Sequence, residues 1–468
     1  MIQDRNNPLH AFANWVVKTP GEWSNIALTR AHDAIIDTVA CMIPGAKESV
    51  TQKVYSLAEK WGTGSCNAVG FKNGLSAPMA ALVNGTAAHA LDFDDNFDPA
   101  KAHASAVLVP TLLATADEYD ARGTDILDAY IVGLQIIGLV GQGVNPYHRN
   151  RGWHATATVG AVGSAAGCAR LMKLDTEATA HAISLATSMA GGFMSQFGTM
   201  AKPVHAGLAA AGAVKAAQFA AAGITAGSET LHGEKGMGTL MVGPDVKELR
   251  ETMTDKDEHG QKVIFRTKSI GEPLHIEKYG LKVKRFPNCG SVHRALDGLL
   301  ALKQQHNIDP DAVERILVRA PASHLRNLMY KTPTNPMEAK FSLEYNLAVG
   351  LKNGNVGLAD FQDTAITLSS TTDLIPLIQR EYVEQLETEF PTEVHVFMKS
   401  GEKHHVAVDM PVGSSANPLT RTQLWDKFNA CTEPFVQESN LISITLALEA
   451  IPTEQPVRTL TDLLAQIS

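Results

Sequence analysis

The stretch from Ser76 to His103 reads SAPMAALVNGTAAHALDFDDNFDPAKAH and combines the two features that decide the fold. Its first part, up to Leu91, is an alanine-rich apolar run that is typical of a buried helix. From Ala88 onward it also carries four aspartates and two histidines: Asp92, Asp94, Asp95, Asp98, His89 and His103. Carboxylates that follow so apolar a helix cost desolvation energy unless they are paired or used in chemistry. The stretch therefore predicts one wall of an active site on a helical bundle.

Helix-like apolar segments continue on both sides of this stretch, from about Pro8 to Ala222. ILDAYIVGLQIIGLVGQGV and VHAGLAAAGAVKAAQFAAAG are apolar on most faces, so they predict helices inside a bundle. Strict alternation of apolar and polar residues, which marks a half-buried strand, is not apparent in this half. These segments predict a large all-helical domain.

The pattern changes near Phe265. VERILVRAPA is rich in β-branched residues and predicts a strand, and TEVHVFMKSGEKHHVAVDMPV predicts a hairpin around SGEK. PLTRTQLWDKFNACTEP and the segment after it return to a helical pattern. We therefore expect a mainly α protein, in which a large all-helical domain (residues 1–265 and 413–468) carries an inserted, smaller α+β lid domain (residues 266–412).

Charge and composition exclude several classes of function. The 468 residues carry a net charge of −9 without a Lys/Arg-rich tract, so we expect no nucleic acid partner and no anionic membrane partner. The low-charge runs hold too many Gly, Thr and His residues for a membrane span. The N-terminus, MIQDRNNPLHAFANWVV, is too polar for a signal peptide.

The five cysteines are scattered and form no CxxC pair, which indicates neither a disulfide framework nor a structural zinc site. A reducing, cytoplasmic location fits this pattern. They are Cys41, Cys66, Cys168, Cys289 and Cys431.

Six motifs together resemble the MmgE/PrpD family, which includes 2-methylcitrate dehydratase, cis-aconitate decarboxylase and iminodisuccinate epimerase. The resemblance spans nearly the whole chain and implies a homodimer that acts on a small di- or tricarboxylate. It also implies catalysis without metal or organic cofactor, in a cleft between the two domains. The motifs are VNGTAAHALDFDD, RGWHATATVGAVGSAAG, FGTMAKPVHAGLAA, VKRFPNCGSVHRALDG, EAKFSLEYNLA and PLTRTQLWDKF.

The resemblance also implies a set of site residues. Cations must hold the carboxylates of the substrate, and an acid/base pair must move a proton beside one of them. Three further residues are predicted from their side-chain chemistry and not from the resemblance. They are a cysteine as a proton-transfer group, and an asparagine and a tyrosine as substrate ligands. The predicted catalytic residues are His103, His154, Asp92, Lys202 and Cys289, and the predicted substrate-binding residues are Lys284, His293, Asn96 and Tyr147.

Structural alternatives exist for each of these residues. Taken without the resemblance, His103 and His154 fit better as buried histidines that donate to carbonyls, and the resemblance reverses this preference. Cys289 fits alternatively as a small core residue. Lys202 precedes Pro203 at a helix start, where the helix dipole disfavours a cation, so it calls for an anionic partner. Strand alternation allows only one of the adjacent residues Lys284 and Arg285 to face a cleft. Asp94 and Asp95 are alternatively helix caps or partners of lysines.

The resemblance leaves three reactions open. We favour a hydro-lyase of the methylcitrate dehydratase type, followed by an epimerase that uses two bases. Cis-aconitate decarboxylases resemble each other in a histidine two residues after the proline of the KRFP motif, and this chain has Cys289 there. That departure counts against decarboxylation.

Two further classes of function are weaker. Asp94 to Asp98 spells DDxxD, as in magnesium–diphosphate enzymes, but a second such motif is not apparent. A non-enzymatic scaffold leaves the histidines and lysines without a reason to converge.

Overall fold

The computed structural model describes residues 7–243, 265–386 and 389–467. They form two compact units, each described here by itself. The helical unit comprises Met1–Lys282 and Leu424–Ser468, and the inserted unit comprises Val283–Gln423. Helix accounts for 58% of the structure and strand for 11%, which confirms the mainly α class.

The helical unit is built from apolar helices of 11 to 23 residues and a few shorter ones. Its elements are α1 (Pro8–Lys18), α2 (Asn25–Lys47), α3 (Ser49–Trp61), β1 (Thr63–Ala68), β2 (Phe71–Leu75), α4 (Ala77–His89), α5 (Ser105–Tyr119), α6 (Gly123–Val144), α7 (Tyr147–Asn150), α8 (Ala155–Leu171), α9 (Thr176–Thr187), α10 (Ala201–Ala221), α11 (Met237–Val242), α12 (His275–Lys278), α19 (Arg421–Thr432), α20 (Glu438–Glu449) and α21 (Arg458–Ala465).

The strand pair β1–β2 corrects the expectation of an all-helical first domain. The two strands are antiparallel, and Gly70 turns between them with φ +77°. The pairing register shifts between Thr63 and Cys66 and again between Cys66 and Ala68. Such bulges break the regular alternation by which a strand is found in a sequence.

Small residues allow α4 and α10 to approach closely. A Cβ atom on Gly207 of α10 would lie 2.3 Å from the carbonyl oxygen of Leu82 in α4. A Cβ atom on Gly85 of α4 would lie 2.9 Å from the Cα of Gly207. Backbone contact at this point fixes how the two helices align, and with them the residues at the end of α4 and the start of α10.

Helix α6 is long and apolar enough, by length and composition, to cross a membrane. However, 89% of its most apolar 18-residue window is buried inside the structure. Gly163 of α8 contacts it, since a Cβ atom there would lie 2.5 Å from the backbone nitrogen of Ile137. This burial is what the core helix of a soluble protein shows.

The inserted unit is a four-stranded sheet with helices. Strand order is β4–β3–β5–β6, with β3 parallel to β4 and antiparallel to β5. The strand predicted from VERILVRAPA and the hairpin predicted around SGEK are both present, as β3 and as β5–β6. The elements are α13 (His293–His306), β3 (Val313–Pro321), α14 (Ala322–Asn327), α15 (Pro336–Lys340), α16 (Leu343–Asn353), α17 (Asp363–Ile366), α18 (Ser369–Thr372), β4 (Ile378–Val383), β5 (Thr392–Met398) and β6 (Lys403–Val408).

The helix α13 covers one face of this sheet. A Cβ atom on Gly298 would lie 2.9 Å from a methyl group of Val394 in β5, so the helix lies close to the strands. The buried side chains of α13, α16 and the strands form one apolar core, which includes Leu296, Leu347, Ile316, Val318 and Val396.

The inserted unit begins at Val283, after the residue 266 expected from the sequence. The intervening α12 packs on the helical unit because polar groups of that unit bond its backbone. Gln135 accepts from the backbone N–H of His275 at 2.7 Å, and Arg30 donates to the carbonyl of Ile276 at 2.7 Å. At the other end the unit runs to Gln423 instead of 412. There Gly413 accepts from the backbone N–H of Val283 at 2.8 Å.

Two buried histidines outside the aspartate-rich stretch predict that acid destabilises the helical unit. Burial lowers the pKa of His148 and of His275 from 6.5 to about 4. Between these pH values the unfolded chain binds protons that the folded chain does not. The free energy of unfolding therefore falls as the pH falls from 6.5 to 4, by at most about 3 kcal/mol for each histidine.

Urea unfolding at several pH values between 7 and 4 measures this loss. The variant His275→Gln keeps the backbone bond to Gln135 and removes one titrating group, so its stability should fall less steeply in acid. A variant that loses stability as steeply as the wild-type protein would contradict the assignment to His275.

Candidate active site

The segment after α4 turns back on the helix end and carries the aspartates. Helix α4 ends at His89, and Asp92 adopts the left-handed conformation with φ +55°. Aspartate tolerates this region better than most residues. Because α4 and α10 are in backbone contact, the start of α10 lies beside this turn. Lys202 of α10 donates to Asp92 Oδ1 at 2.6 Å.

Asp94 lies between two imidazoles. Its Oδ2 is 2.7 Å from Nδ1 of His89 and 3.3 Å from Nδ1 of His103. The Nε2 of His103 lies 3.9 Å from Asp92 Oδ1. Thr156 of α8 fixes the backbone at this point, because its hydroxyl accepts from the N–H of His103 at 3.0 Å. His89, Asp92, Asp94 and His103 therefore form one cluster.

A second pair of histidines adjoins this cluster. His154 precedes α8, and its ring centroid lies 5.7 Å from that of His89. Its Nδ1 is 3.2 Å from Nδ1 of His205, which lies on α10 one turn after Lys202. Phe197 contacts the His154 ring edge-on at 4.9 Å, and its own ring lies 5.3 Å from the ammonium of Lys202. His154 thus shares an aromatic neighbour with the lysine.

The imidazoles His89, His154 and His205 are neutral near pH 7. Burial lowers the pKa of His89 to about 4, although Asp94 opposes this shift. Burial also lowers the pKa of His154 far below its usual value, and the neighbouring His89 and Lys202 lower it further. Burial lowers the pKa of His205 as well. These rings can therefore donate or accept hydrogen bonds without carrying a permanent charge.

The remaining aspartates of the segment have different partners. Asp95 caps the start of α5, where its carboxylate accepts from the backbone N–H of Ser105 at 3.3 Å and from its hydroxyl. Burial raises the pKa of Asp95 to about 7. Asp98 pairs with Lys282 at 2.8 Å, near the surface. Asp94, Asp95 and Asp98 thus bond three different groups, which is not the shared metal-facing arrangement expected of a DDxxD motif.

Asn96 and Tyr147 lie in the same unit. The backbone of Asn96 pairs with that of Lys282 through two hydrogen bonds of 2.8 Å. Tyr147 begins α7 and is half-buried, while the next residue, His148, is buried and bonds Thr158 at 2.8 Å. The roles of Asn96 and Tyr147 as substrate ligands stay predictions.

Lys284, Cys289 and His293 belong to the inserted unit. Residues 283–289 lie outside the strands, so the alternation argument for Lys284 and Arg285 does not apply. Lys284 is buried, whereas Arg285 is partly exposed and pairs with Asp297 at 2.7 Å. Cys289 is half-buried, and the buried His293 begins α13, with its ring edge-on to Phe286 at 5.4 Å. Their catalytic or binding roles also stay predictions.

Four side chains of the cluster could hold a metal ion. One ligand atom from each lies within 4.8 Å of those of the others. However, Lys202 already places a positive charge beside Asp92, and Asp94 already bonds His89 and contacts the ring of His103. The four are His89, Asp92, Asp94 and His103.

The structure brings four of the predicted catalytic residues into one region of the helical unit: Asp92, His103, His154 and Lys202. Sequence reasoning placed His89 and Asp94 in the predicted wall but gave neither a catalytic or binding role, and it missed His205. The motif AKPVH does predict the position of His205, because His205 follows Lys202 by three residues and residues three apart share a helix face. The anionic partner that the sequence predicts for Lys202 is Asp92 of the same chain.

Comparison with known proteins identifies the family of the chain. The profile of the MmgE/PrpD N-terminal domain matches residues 10–250, and that of the MmgE/PrpD C-terminal domain matches residues 286–450. The chain belongs to the MmgE/PrpD family. Both the aspartate cluster and the lysine of α10 lie within the N-terminal match.

Curated relatives of the family extend over nearly the whole chain. Cis-aconitate decarboxylase of Homo sapiens is 24% identical over 95% of this chain and 91% of its own length. The enzyme of the same name from Mus musculus is 24% identical over 93% of this chain and 89% of its own length. That of Aspergillus terreus is 23% identical over 89% of this chain and 87% of its own length.

Proposed function

We propose that this protein is a cofactor-independent lyase that acts on a small di- or tricarboxylate by proton transfer beside a carboxylate. The observation that carries the proposal is the convergence of one ammonium group and several imidazoles on the aspartate-rich turn after α4. Membership of the MmgE/PrpD family and lyase relatives over nearly the full length support it.

Lys202 is the group that binds the substrate carboxylate. Asp92 holds its ammonium at 2.6 Å, which keeps it in place before substrate arrives. Removing a proton next to a carboxylate places negative charge on the carboxylate oxygens. A fixed cation stabilises that charge more in the transition state than in the substrate, and this difference accelerates the reaction.

The histidines move the proton. His103 is partly exposed and is the cluster imidazole held by Asp94 and Asp92, so we assign it as the base that takes the proton from carbon. His154 is neutral and buried, which suits a hydrogen-bond donor to the leaving group. General acid–base assistance of this kind contributes about 10²–10⁴-fold.

Dehydration is the reaction that we propose first, on a substrate like 2-methylcitrate. His103 removes a proton from the carbon beside a carboxylate, and the C–O bond of the neighbouring carbon breaks. The hydroxide takes the proton that His103 has just accepted and leaves as water. A carbon–carbon double bond forms. The same groups serve this sequence in both directions.

Decarboxylation of cis-aconitate is the second candidate, because the relatives carry that name. In this reaction a C–C bond to one carboxylate breaks, CO₂ leaves, and the electron pair moves through the double bond. A proton is then added to the distant carbon. Cations and an acid/base imidazole serve this reaction as well, so the difference lies in the bond that breaks.

Proton NMR in D₂O should separate the candidates, with 2-methylcitrate, cis-aconitate and iminodisuccinate as separate substrates. From 2-methylcitrate we expect the methyl doublet to be replaced by a methyl singlet, because the product has a tetrasubstituted double bond without a vinyl proton, and we expect no release of CO₂. Release of CO₂ from cis-aconitate would establish the second candidate in its place. Addition of EDTA should leave turnover unchanged, since the proposed steps use no metal ion.

Other outcomes would overturn the proposal. Deuterium that enters iminodisuccinate without elimination would indicate an epimerase with two bases. A requirement for magnesium would revive the diphosphate hypothesis. Absence of turnover on all three compounds would contradict the assigned substrate class. A homodimer and a cytoplasmic location stay expectations.

A further inference from the structure

The buried carboxylate of Asp94 has no evident place in substrate binding. Asp94 and His89 are both almost completely buried, with exposed fractions of 0% and 1%. One oxygen of Asp94 contacts Nδ1 of His89 at 2.7 Å and Nδ1 of His103 at 3.3 Å. Two imidazoles therefore present the same ring nitrogen to one carboxylate.

The Nδ1 of His89 bonds Asp94 at 2.7 Å, and because an ionised carboxylate only accepts hydrogen bonds, this nitrogen must carry hydrogen. The Nδ1 of His103 faces the same oxygen at 3.3 Å, outside hydrogen-bond geometry. A lone pair on that nitrogen would be repelled by the negative charge of the carboxylate, so hydrogen on Nδ1 of His103 is favoured as well. Burial alone would raise the pKa of Asp94, but His103 and His89 lower it well below its usual value. The acceptor is thus ionised. In a neutral ring, hydrogen on Nδ1 leaves a lone pair on Nε2.

The surroundings of the two Nε2 atoms agree with this assignment. The Nε2 of His89 is buried and lacks a hydrogen-bond partner among the described residues. A bare lone pair is tolerated there more easily than an unpaired N–H, because buried donors are rarely left unsatisfied. The Nε2 of His103 instead lies on the side of Asp92, the carboxylate that holds Lys202.

We propose that Asp94 is a positioning residue that holds His103 with its hydrogen on Nδ1, so that Nε2 accepts the proton of the substrate. His89 donates to Asp94, which keeps the carboxylate in place. The catalytic part of this inference rests on the proposed function. When Nε2 takes the proton from carbon, His103 becomes an imidazolium with both nitrogens protonated. Asp94 stays ionised beside it, and Nε2 later returns the proton.

The matched variants are Asp94→Asn and Asp95→Asn. An asparagine at 94 keeps the shape of the side chain but can donate to Nδ1, which favours the other tautomer of His103. Asp95 is the adjacent buried carboxylate and bonds Ser105, not a histidine. The Asp95→Asn variant thus controls for loss of a buried carboxylate in the same segment.

Long-range ¹H–¹⁵N NMR of protein labelled at histidine nitrogens reads the tautomer directly. The signal of His103 is assigned by its loss in His103→Asn. We expect hydrogen on Nδ1 in the wild-type protein and in Asp95→Asn, and a shift toward hydrogen on Nε2 in Asp94→Asn. In Asp94→Asn we also expect kcat to fall by about 10²-fold or more with KM changed little.

Hydrogen on Nε2 of His103 in the wild-type protein would overturn the inference, even if Asp94→Asn failed to fold. So would an Asp94→Asn variant that keeps both the tautomer and kcat. Because the spectra are recorded without substrate, they decide the tautomer even if turnover fails on every compound tested. Failure of the proposed function and failure of this inference are therefore distinguishable.

Discussion

Replacing His103 by asparagine should lower kcat by about 10²–10⁴-fold while KM changes little. Asparagine keeps a polar side chain at this position, but its amide cannot accept a proton from carbon. The ring it replaces is 15% exposed and lies 3.9 Å from the carboxylate that holds Lys202. Steady-state kinetics on whichever compound is turned over measure the effect.

The matched control is His148→Gln, which changes a buried histidine outside the cluster. Glutamine can retain a hydrogen bond to Thr158, the present partner of His148 at 2.8 Å. We expect this variant to keep kcat within about threefold of the wild-type value. If His103→Asn also stayed within threefold, His103 would not be the base, and proton abstraction would have to be assigned elsewhere.

Much of the fold was predictable because its patterns are local. Apolar periodicity indicated the bundle helices, and β-branched alternation indicated β3 and the β5–β6 hairpin. The pair β1–β2 was missed because its bulged register has no regular alternation. The start of the inserted unit was misplaced because bonds from Arg30 and Gln135 hold α12 on the helical unit. Such long-range bonds leave no local pattern.

The sequence predicted which residues lie in the candidate site better than it predicted which of them contact each other. The family motifs pointed to Asp92, His103 and Lys202, which do lie together. Which carboxylate meets which base depends on the turn at Asp92 and on the backbone contact between α4 and α10. The sequence therefore left Asp94 as a cap or a partner of lysines, whereas it bonds His89 and lies 3.3 Å from Nδ1 of His103.

Lys427 joins the C-terminal helix α19 to α2 through a buried ion pair, and to the aspartate-rich segment after α4 through a hydrogen bond. Lys427 of α19 lies 2.5 Å from Asp37 of α2, and both side chains are almost completely buried. Lys427 also donates to the carbonyl of Phe93 at 2.9 Å, and its ammonium lies 3.9 Å from the centre of the Phe93 ring. Burial alone would lower the pKa of Lys427, but Asp37 raises it well above its usual value. The lysine is therefore charged and supports the backbone between Asp92 and Asp94.

Replacing Lys427 by methionine should lower the free energy of unfolding by about 3–5 kcal/mol, because it leaves the Asp37 carboxylate buried without its cation. Urea unfolding followed by circular dichroism measures the loss. The double variant Asp37→Leu/Lys427→Met removes both charges and should recover about half of the loss, with about 1–3 kcal/mol still lost because the Phe93 carbonyl loses its donor. The exposed Lys173, 3.8 Å from Asp125, is the control, and Lys173→Met should change stability by less than about 1 kcal/mol. If the double variant were no more stable than Lys427→Met, the loss of stability would come from poor packing of the methionine and not from the unpaired charge of Asp37.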